Sequence, residues 1–197
     1  MGDYILTGLL GDNSDLFRNI FSLYGKGATN VADVTFGKGV FWKQIDTRDI
    51  NFLPSDITGG IDLRDLPYCD GEIDFIVVDP PYAHSSATPI KKSINDQYNI
   101  NSVCGRDNIL RLYFGGIIEA FRVLRKGGIL VVKCQDEVMG GKQCFNHIVL
   151  LNFAEVYGFV CEDIFVLVQR GRPAMRHKYQ IHARKNHSYF LVFRRSK

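Results

Sequence analysis

The sequence predicts an α/β domain built on a mostly parallel β-sheet, and three features predict it. Short runs rich in β-branched residues alternate with longer runs of helical apolar spacing, the pattern of strand–helix–strand units. The run 73–78 (Ile-Asp-Phe-Ile-Val-Val) is apolar except for Asp74, as expected of a strand covered on both faces. The last two strand-like runs, 159–168 and 188–195, have no helix between them, which predicts an antiparallel hairpin at the sheet edge.

In chain order, the first helix is expected over 14–24, with Ser14 as its cap and Leu16, Phe17, Ile20, Phe21 and Tyr24 as its apolar stripe. Gly25 and Gly27 stop it. Strands follow at 30–34, 51–57 and 73–78. The polar stretch 83–107 is too long for an ordinary connection and reads as a functional loop. Beyond it come a helix at 108–124, a turn at Arg125-Lys126-Gly127-Gly128, a strand at 129–133 and a helix at 143–157 ended by Gly158. A basic loop, 169–187, separates the two final strands.

At 197 residues and 46% hydrophobic content, the chain is expected to form one domain, 1–197, with its own core. No apolar run reaches the roughly 18 residues of a membrane span, and Met1-Gly2-Asp3-Tyr4 does not open a signal peptide. A soluble, cytoplasmic protein with no membrane partner is the expectation. The cysteines (Cys69, Cys104, Cys134, Cys144, Cys161) are scattered and form no C-x-x-C pair, and His177, His182 and His187 do not share a helical face. No metal site is expected. Charge is unevenly spread: residues 164–197 hold nine Lys/Arg and no acidic residue, leaving a net of −6 over 1–163. A basic end on an acidic body points to a polyanionic partner.

Two motifs carry the chemistry. Asp79-Pro80-Pro81-Tyr82 directly follows the run 73–78, and ligands of open parallel sheets bind beyond the carboxyl ends of the strands. The two prolines fix φ and lack N–H groups, so the Pro80 carbonyl is held rigidly, and Tyr82 offers a ring for stacking. The second motif, Asp33-Val34-Thr35-Phe36-Gly37-Lys38-Gly39, follows the first strand run, where glycines let the backbone approach a ligand. It has neither the spacing of a phosphate loop nor that of a dinucleotide fingerprint.

In this order, about 45 residues apart, the two motifs resemble those of the S-adenosylmethionine-dependent amino-methyltransferases that act on nucleic acids, the adenine-N6 and cytosine-N4 type with an Asp-Pro-Pro-Tyr motif. The resemblance implies a Rossmann-like class I methyltransferase fold: a seven-stranded, mostly parallel sheet with an antiparallel edge strand and helices on both faces. It implies that Asp33, Thr35, Phe36, Gly37 and Gly39 form the first cofactor motif for S-adenosyl-L-methionine, with the glycines against its methionine part. Asp56 and Ile57 would meet its ribose, and Asp62 and Leu63, in Asp62-Leu-Arg-Asp-Leu-Pro67, its adenine. S-adenosyl-L-homocysteine would be the product. Asp79, Pro80, Pro81 and Tyr82 would be catalytic. Arg122-Val-Leu-Arg-Lys-Gly-Gly128 resembles the helix-to-strand turn of the fold.

Asp at the first motif position resembles the adenine-N6 branch more than the cytosine-N4 branch. The expected reaction is therefore methylation of adenine N6, in DNA rather than RNA. RNA methylation at adenine N6 or guanine N2 is the alternative enzyme, and a non-catalytic nucleic-acid-binding subunit of the same fold is the third reading. Substrate contacts are expected from the two loops: His84, Lys91 and Lys92 in 83–107, and Arg170, Arg172, Lys178 and Arg184 in 169–187. The loops leave no room for a large target-recognition region, so a relaxed or short site, a homodimer or a separate recognition subunit is expected.

Overall fold

The computed structural model of the protein describes residues 4–81, 106–139, 141–170 and 181–196. The elements run β1 (Gly8–Leu10), α1 (Asn13–Tyr24), β2 (Asn30–Asp33), a 3-10 turn (Val40–Gln44), β3 (Asn51–Pro54), a second 3-10 turn (Ile57–Gly59) and β4 (Ile73–Val78). They continue with α2 (Arg106–Val123), β5 (Leu124–Cys134), the small hairpin β6 (Glu137–Met139) and β7 (Lys142–Cys144), α3 (Asn146–Tyr157), β8 (Phe159–Val168) and β9 (His187–Arg195).

Seven strands form one sheet in the order β1-β8-β9-β5-β4-β2-β3. β9 alone runs antiparallel, to β5 on one side and β8 on the other, while every other pairing in this sheet is parallel. The final hairpin therefore sits near one end of the sheet, but β9 lies inside it. The outermost strand is β1, whose three residues are too few to show a period in the sequence. β3 is the other edge, which accommodates Pro54 and its missing N–H.

The element ends depart from the sequence reading for local reasons. Asp12, not Ser14, caps α1: its carboxylate accepts from the N–H groups of Ser14 (2.8 Å) and Asp15 (3.1 Å), and Asp15 reaches back to the Asp12 N–H. β3 ends at Pro54 rather than 57 because Asp56 caps the following 3-10 turn. β5 runs through the expected turn at 125–128, with Gly127 at φ 75° and a register shift against β4. α3 starts at Asn146, since 142–144 pair with β6 instead.

Period-2 alternation along β4 feeds two cores. Phe75 and Val77 face α1 and the first 3-10 turn; Ile76 and Val78 face α2 and α3. On the α1 side Phe17 lies 5.2 Å from Phe41 and 5.0 Å from Trp42, centroid to centroid. On the other side Gly116 lets α2 close on the segment between β3 and β4, because a Cβ there would meet the Leu63 side chain at 2.4 Å. Burying each such aromatic or Leu side chain is worth about 1.5–3 kcal/mol. The parallel strands thereby end together, with Asp33, Pro54, Val78, Cys134 and Val168 at one rim.

Candidate active site

At that rim lies a cleft of about 310 Å³, lined by Thr35, Gly37, Asp56, Ile57, Thr58, Asp79 and Pro81. The expected glycine motif, the Asp56-capped turn after β3 and the Asp79 turn thus share one cavity, of a size suited to a small molecule. Tyr82 and the loop residues His84, Lys91, Lys92, Arg172 and Lys178 lie outside the described residues.

The glycine loop is folded by its own polar groups. Asp33 is 2% exposed; its carboxylate accepts from the Trp42 indole N–H (2.7 Å) and from the Thr35 N–H (3.0 Å). Burial pushes the Asp33 carboxyl up to about 7, against the pull of these hydrogen bonds, and the nearby Asp79 charge adds to the rise. Asp33 is therefore an anchor beneath the loop rather than part of the cleft lining. Gly39 has φ 63°, and a Cβ there would also meet the Phe36 ring at 2.6 Å. Phe36 packs edge-on to Phe52 at 5.8 Å, outside the cleft lining.

Thr35 ties the two motifs together. Its hydroxyl accepts the Asp79 N–H (2.8 Å) and lies 3.3 Å from the Asp33 carboxylate, to which it donates. Asp56 closes the cleft from the other side: Oδ2 accepts the Gly37 N–H (3.2 Å), while Oδ1 takes the N–H groups of Thr58 (2.8 Å) and Gly59 (3.1 Å) and the Thr58 hydroxyl. These bonds, the Thr58 hydroxyl foremost, hold the Asp56 carboxyl below its usual range, so it is ionised where a hydroxyl-bearing ligand would meet it.

Asp62 and Leu63 are not brought into the cleft lining. Arg64 grips both oxygens of Asp62 (2.9 and 2.6 Å), and the Leu63 side chain is fully buried against α2. Pro80 is buried, which fixes the turn that carries its carbonyl. Arg170 is exposed at the end of β8, and Arg184 is half-buried on the segment leading into β9. His182 meets the Gly141 carbonyl (2.9 Å) and His187 the Tyr189 hydroxyl (3.0 Å).

Sequence reasoning missed three members of this arrangement. Thr58 lines the cleft just after Asp56. Trp42, the single tryptophan, supports Asp33. Lys133 places its ammonium 3.3 Å from the Asp79 carboxylate. The last carried a legible signal, since a lysine at the end of an apolar strand run is out of pattern.

The sequence profile of the DNA methylase family matches residues 73–197, from the first residue of β4 to the end of the chain. The chain belongs to this family. Its members are S-adenosylmethionine-dependent methyltransferases. No curated protein matches the chain. Among solved structures, the [4+2]-cyclase SpnF is 14% identical, covers 94% of this chain and 85% of its own, and superposes with a TM-score of 0.56. TrmN from Thermus thermophilus is 16% identical over 91% of this chain and 48% of its own, with a TM-score of 0.55. These likenesses establish the class I methyltransferase fold. A provisionally assigned DNA modification methylase, also from Thermus thermophilus, is 14% identical over 86% of this chain, with a TM-score of 0.48. The chain spans about half the length of that protein, 53%. Among the described residues of this DNA methylase family member, no helix is long and apolar enough to cross a membrane.

Proposed function

We propose that the protein transfers a methyl group from S-adenosyl-L-methionine to the exocyclic amino nitrogen of a nucleic-acid base, adenine N6 in DNA. The observation that carries this reading is the convergence of Asp79 and Pro81 with Gly37 and Asp56 in one cleft at the carboxyl ends of the parallel strands. The residues present fit the cofactor. The Gly37 backbone is exposed, Asp56 is ionised at the lip for ribose hydroxyls, and the volume accommodates a small ligand. Asp33, Phe36 and Gly39 would shape the methionine subsite from beneath, and Ile57 the ribose side. Asp62 and Leu63, whose side chains are engaged by Arg64 and α2, would act on the adenine side through their main chain.

When bound, the cofactor supplies an electrophilic methyl group on a sulfonium sulfur. The protein's own groups prepare the nucleophile. An exocyclic amino nitrogen is a poor nucleophile because its lone pair is delocalised into the ring. Hydrogen bonds donated by its two N–H groups to the Asp79 carboxylate and the Pro80 carbonyl would favour a pyramidal nitrogen with the lone pair free. Positive charge would grow on that nitrogen as it takes the methyl group, and the Asp79 carboxylate would stabilise it. The proton then leaves the nitrogen towards Asp79. Holding both partners in line accounts for much of the acceleration. Tyr82 is the stacking partner in this reading, which requires a base taken from a single strand or swung out of a duplex.

Asp79, rather than a serine-type motif, supports the adenine branch, and the basic residues Arg170, Arg172, Lys178 and Arg184, with His84, Lys91 and Lys92, support a polyanionic substrate. Incubation with methyl-labelled cofactor and separate DNA and RNA substrates, followed by nucleoside analysis, tests the reading. Label in N6-methyladenine from DNA is expected. Label in N4-methylcytosine, or only in RNA nucleosides, would overturn the base or the polymer.

A further inference from the structure

Lys133 is the only basic residue among the described residues that is buried, at 6% exposure. It stands at the carboxyl end of β5, beside β4, where Val132 pairs with Val78, so that Lys133 and Asp79 follow on adjacent strands. Its side chain is 8% exposed and that of Asp79 20%, with 3.3 Å between Nζ and Oδ2. The ammonium is held in place from two further directions. It lies 5.4 Å from the Phe41 ring centroid and 5.7 Å from that of Phe190, within the range of cation–π attraction. The Tyr113 hydroxyl donates to the Lys133 carbonyl (2.9 Å), which pins the strand end itself.

A buried ammonium carries a desolvation cost of several kcal/mol. A methionine would fill the same slot between Phe41 and Phe190 without that cost, so packing alone does not account for a lysine here. Its position also runs against simple charge logic, because both the sulfonium and the methylated nitrogen are cationic. What the ammonium does accomplish at this distance is to act on Asp79. It favours the ionised carboxylate, and it gives Oδ2 a charged partner at 3.3 Å. Asp33 on the neighbouring strand works in the opposite sense, since a second carboxyl close by resists ionisation of the first.

We infer that Lys133 is a positioning residue for methyl transfer: from its slot between Phe41 and Phe190 it holds the Asp79 carboxylate ionised and in one orientation for the incoming amino group. This role rests on the reading of the cleft given above. Groups at the carboxyl ends of three adjacent strands, β2, β4 and β5, then form one unit. Asp33 sets the glycine loop, Thr35 connects that loop to the Asp79 backbone, and Lys133 sets the Asp79 side chain.

Lys133→Met and Lys133→Arg test it, with wild-type protein, methyl-labelled cofactor and DNA. K133M is expected to lower kcat about 100-fold, the scale of a misplaced catalytic group, with the cofactor Kd within about twofold of wild type. Its acid limb of kcat/KM is expected to move to higher pH, as Asp79 loses the charge that favours its ionised form. K133R is expected to recover part of the rate. A carbon-13 carboxyl titration, with the Asp79 signal assigned by D79N, is expected to show the same upward move without any turnover. A K133M enzyme with wild-type kcat and an unmoved Asp79 titration would overturn the role alone. A wild-type protein inactive on every nucleic acid would overturn the methyl-transfer reading and this role with it.

Discussion

At the scale of single residues, the site depends on carboxylates held in opposite states by their surroundings. Asp56 accepts several hydrogen bonds near the surface and stays ionised, whereas Asp33 is enclosed and is pushed up to about 7 from 3.8. The unfolded chain releases the Asp33 proton near pH 4 and the folded chain only near pH 7. Folding therefore gains fully from a neutral, buried Asp33 below about pH 4 and loses that gain as pH rises towards 7. Asp33→Asn removes the titration but keeps a side-chain oxygen for the Trp42 indole. Relative to this variant, the wild type is expected to lose on the order of 4 kcal/mol of stability between pH 4 and 7. Urea unfolding of both proteins across that range checks it, and a pH-independent difference would contradict it. Asp33 was legible in the sequence as a motif residue, but its function as an anchor was not. Its partner Trp42 is nine positions away, within the first 3-10 turn, and no spacing rule links an indole to a carboxylate.

At the scale of elements, the strands that were legible are those with continuous apolar or alternating runs, and β4 matches its expected span of 73–78. What escaped was short or set by long-range pairing. β1 owes its existence to β8, and β6 and β7 to each other, neither of which a local pattern reports. The placement of β9 inside the sheet follows from its pairing with β5, 55 or more residues away along the chain by register, Cys134 opposite Tyr189. Asp74, the one polar residue in the β4 run, has a structural reason. Its carboxylate accepts the Thr29 N–H (2.7 Å), the Thr29 hydroxyl (2.8 Å), the Asn30 N–H (2.8 Å) and the Arg125 guanidinium, so it joins the start of β2 to β4 and β5. Despite burial, which acts to raise it, these partners bring the carboxyl down to about 2. A depressed carboxyl stabilises the fold above the unfolded value near 4 and ceases to do so as pH falls through 2. Asp74→Asn is expected to cost about 2 kcal/mol at neutral pH, with the difference from wild type closing between pH 4 and 2. Acid and thermal unfolding of the pair would show this, and an equally acid-sensitive variant would refute it.

At the scale of the whole molecule, charge and topology agree. The basic segment 169–187 connects the carboxyl end of β8 to the start of β9, where Val168 pairs with His187, so it leaves and rejoins the sheet at the rim that carries the cleft. Not all of the basic end serves that rim. Arg194 and Arg195 lie at the opposite end of β9, where Arg194 binds Glu162 (2.6 Å) and the Gly127 carbonyl (3.1 Å), and Arg195 binds the Leu124 carbonyl and covers the Phe121 ring. The sequence count of nine basic residues therefore overstates the charge available at the cleft rim. Neutralising Arg170, Arg172 and Lys178 together is expected to weaken DNA binding and to lower the slope of log K against log salt by about 2–3. An unchanged slope would remove the segment from the interface. Whether the Asp79 carboxylate and the neighbouring Pro80 carbonyl prepare an amino group for methylation is decided by single-turnover methyl transfer in Asp79→Ala, with cofactor affinity measured by calorimetry on the same protein. Transfer is expected to fall by at least about 1,000-fold with cofactor affinity nearly unchanged. A variant that still methylates at a rate near wild type would contradict it.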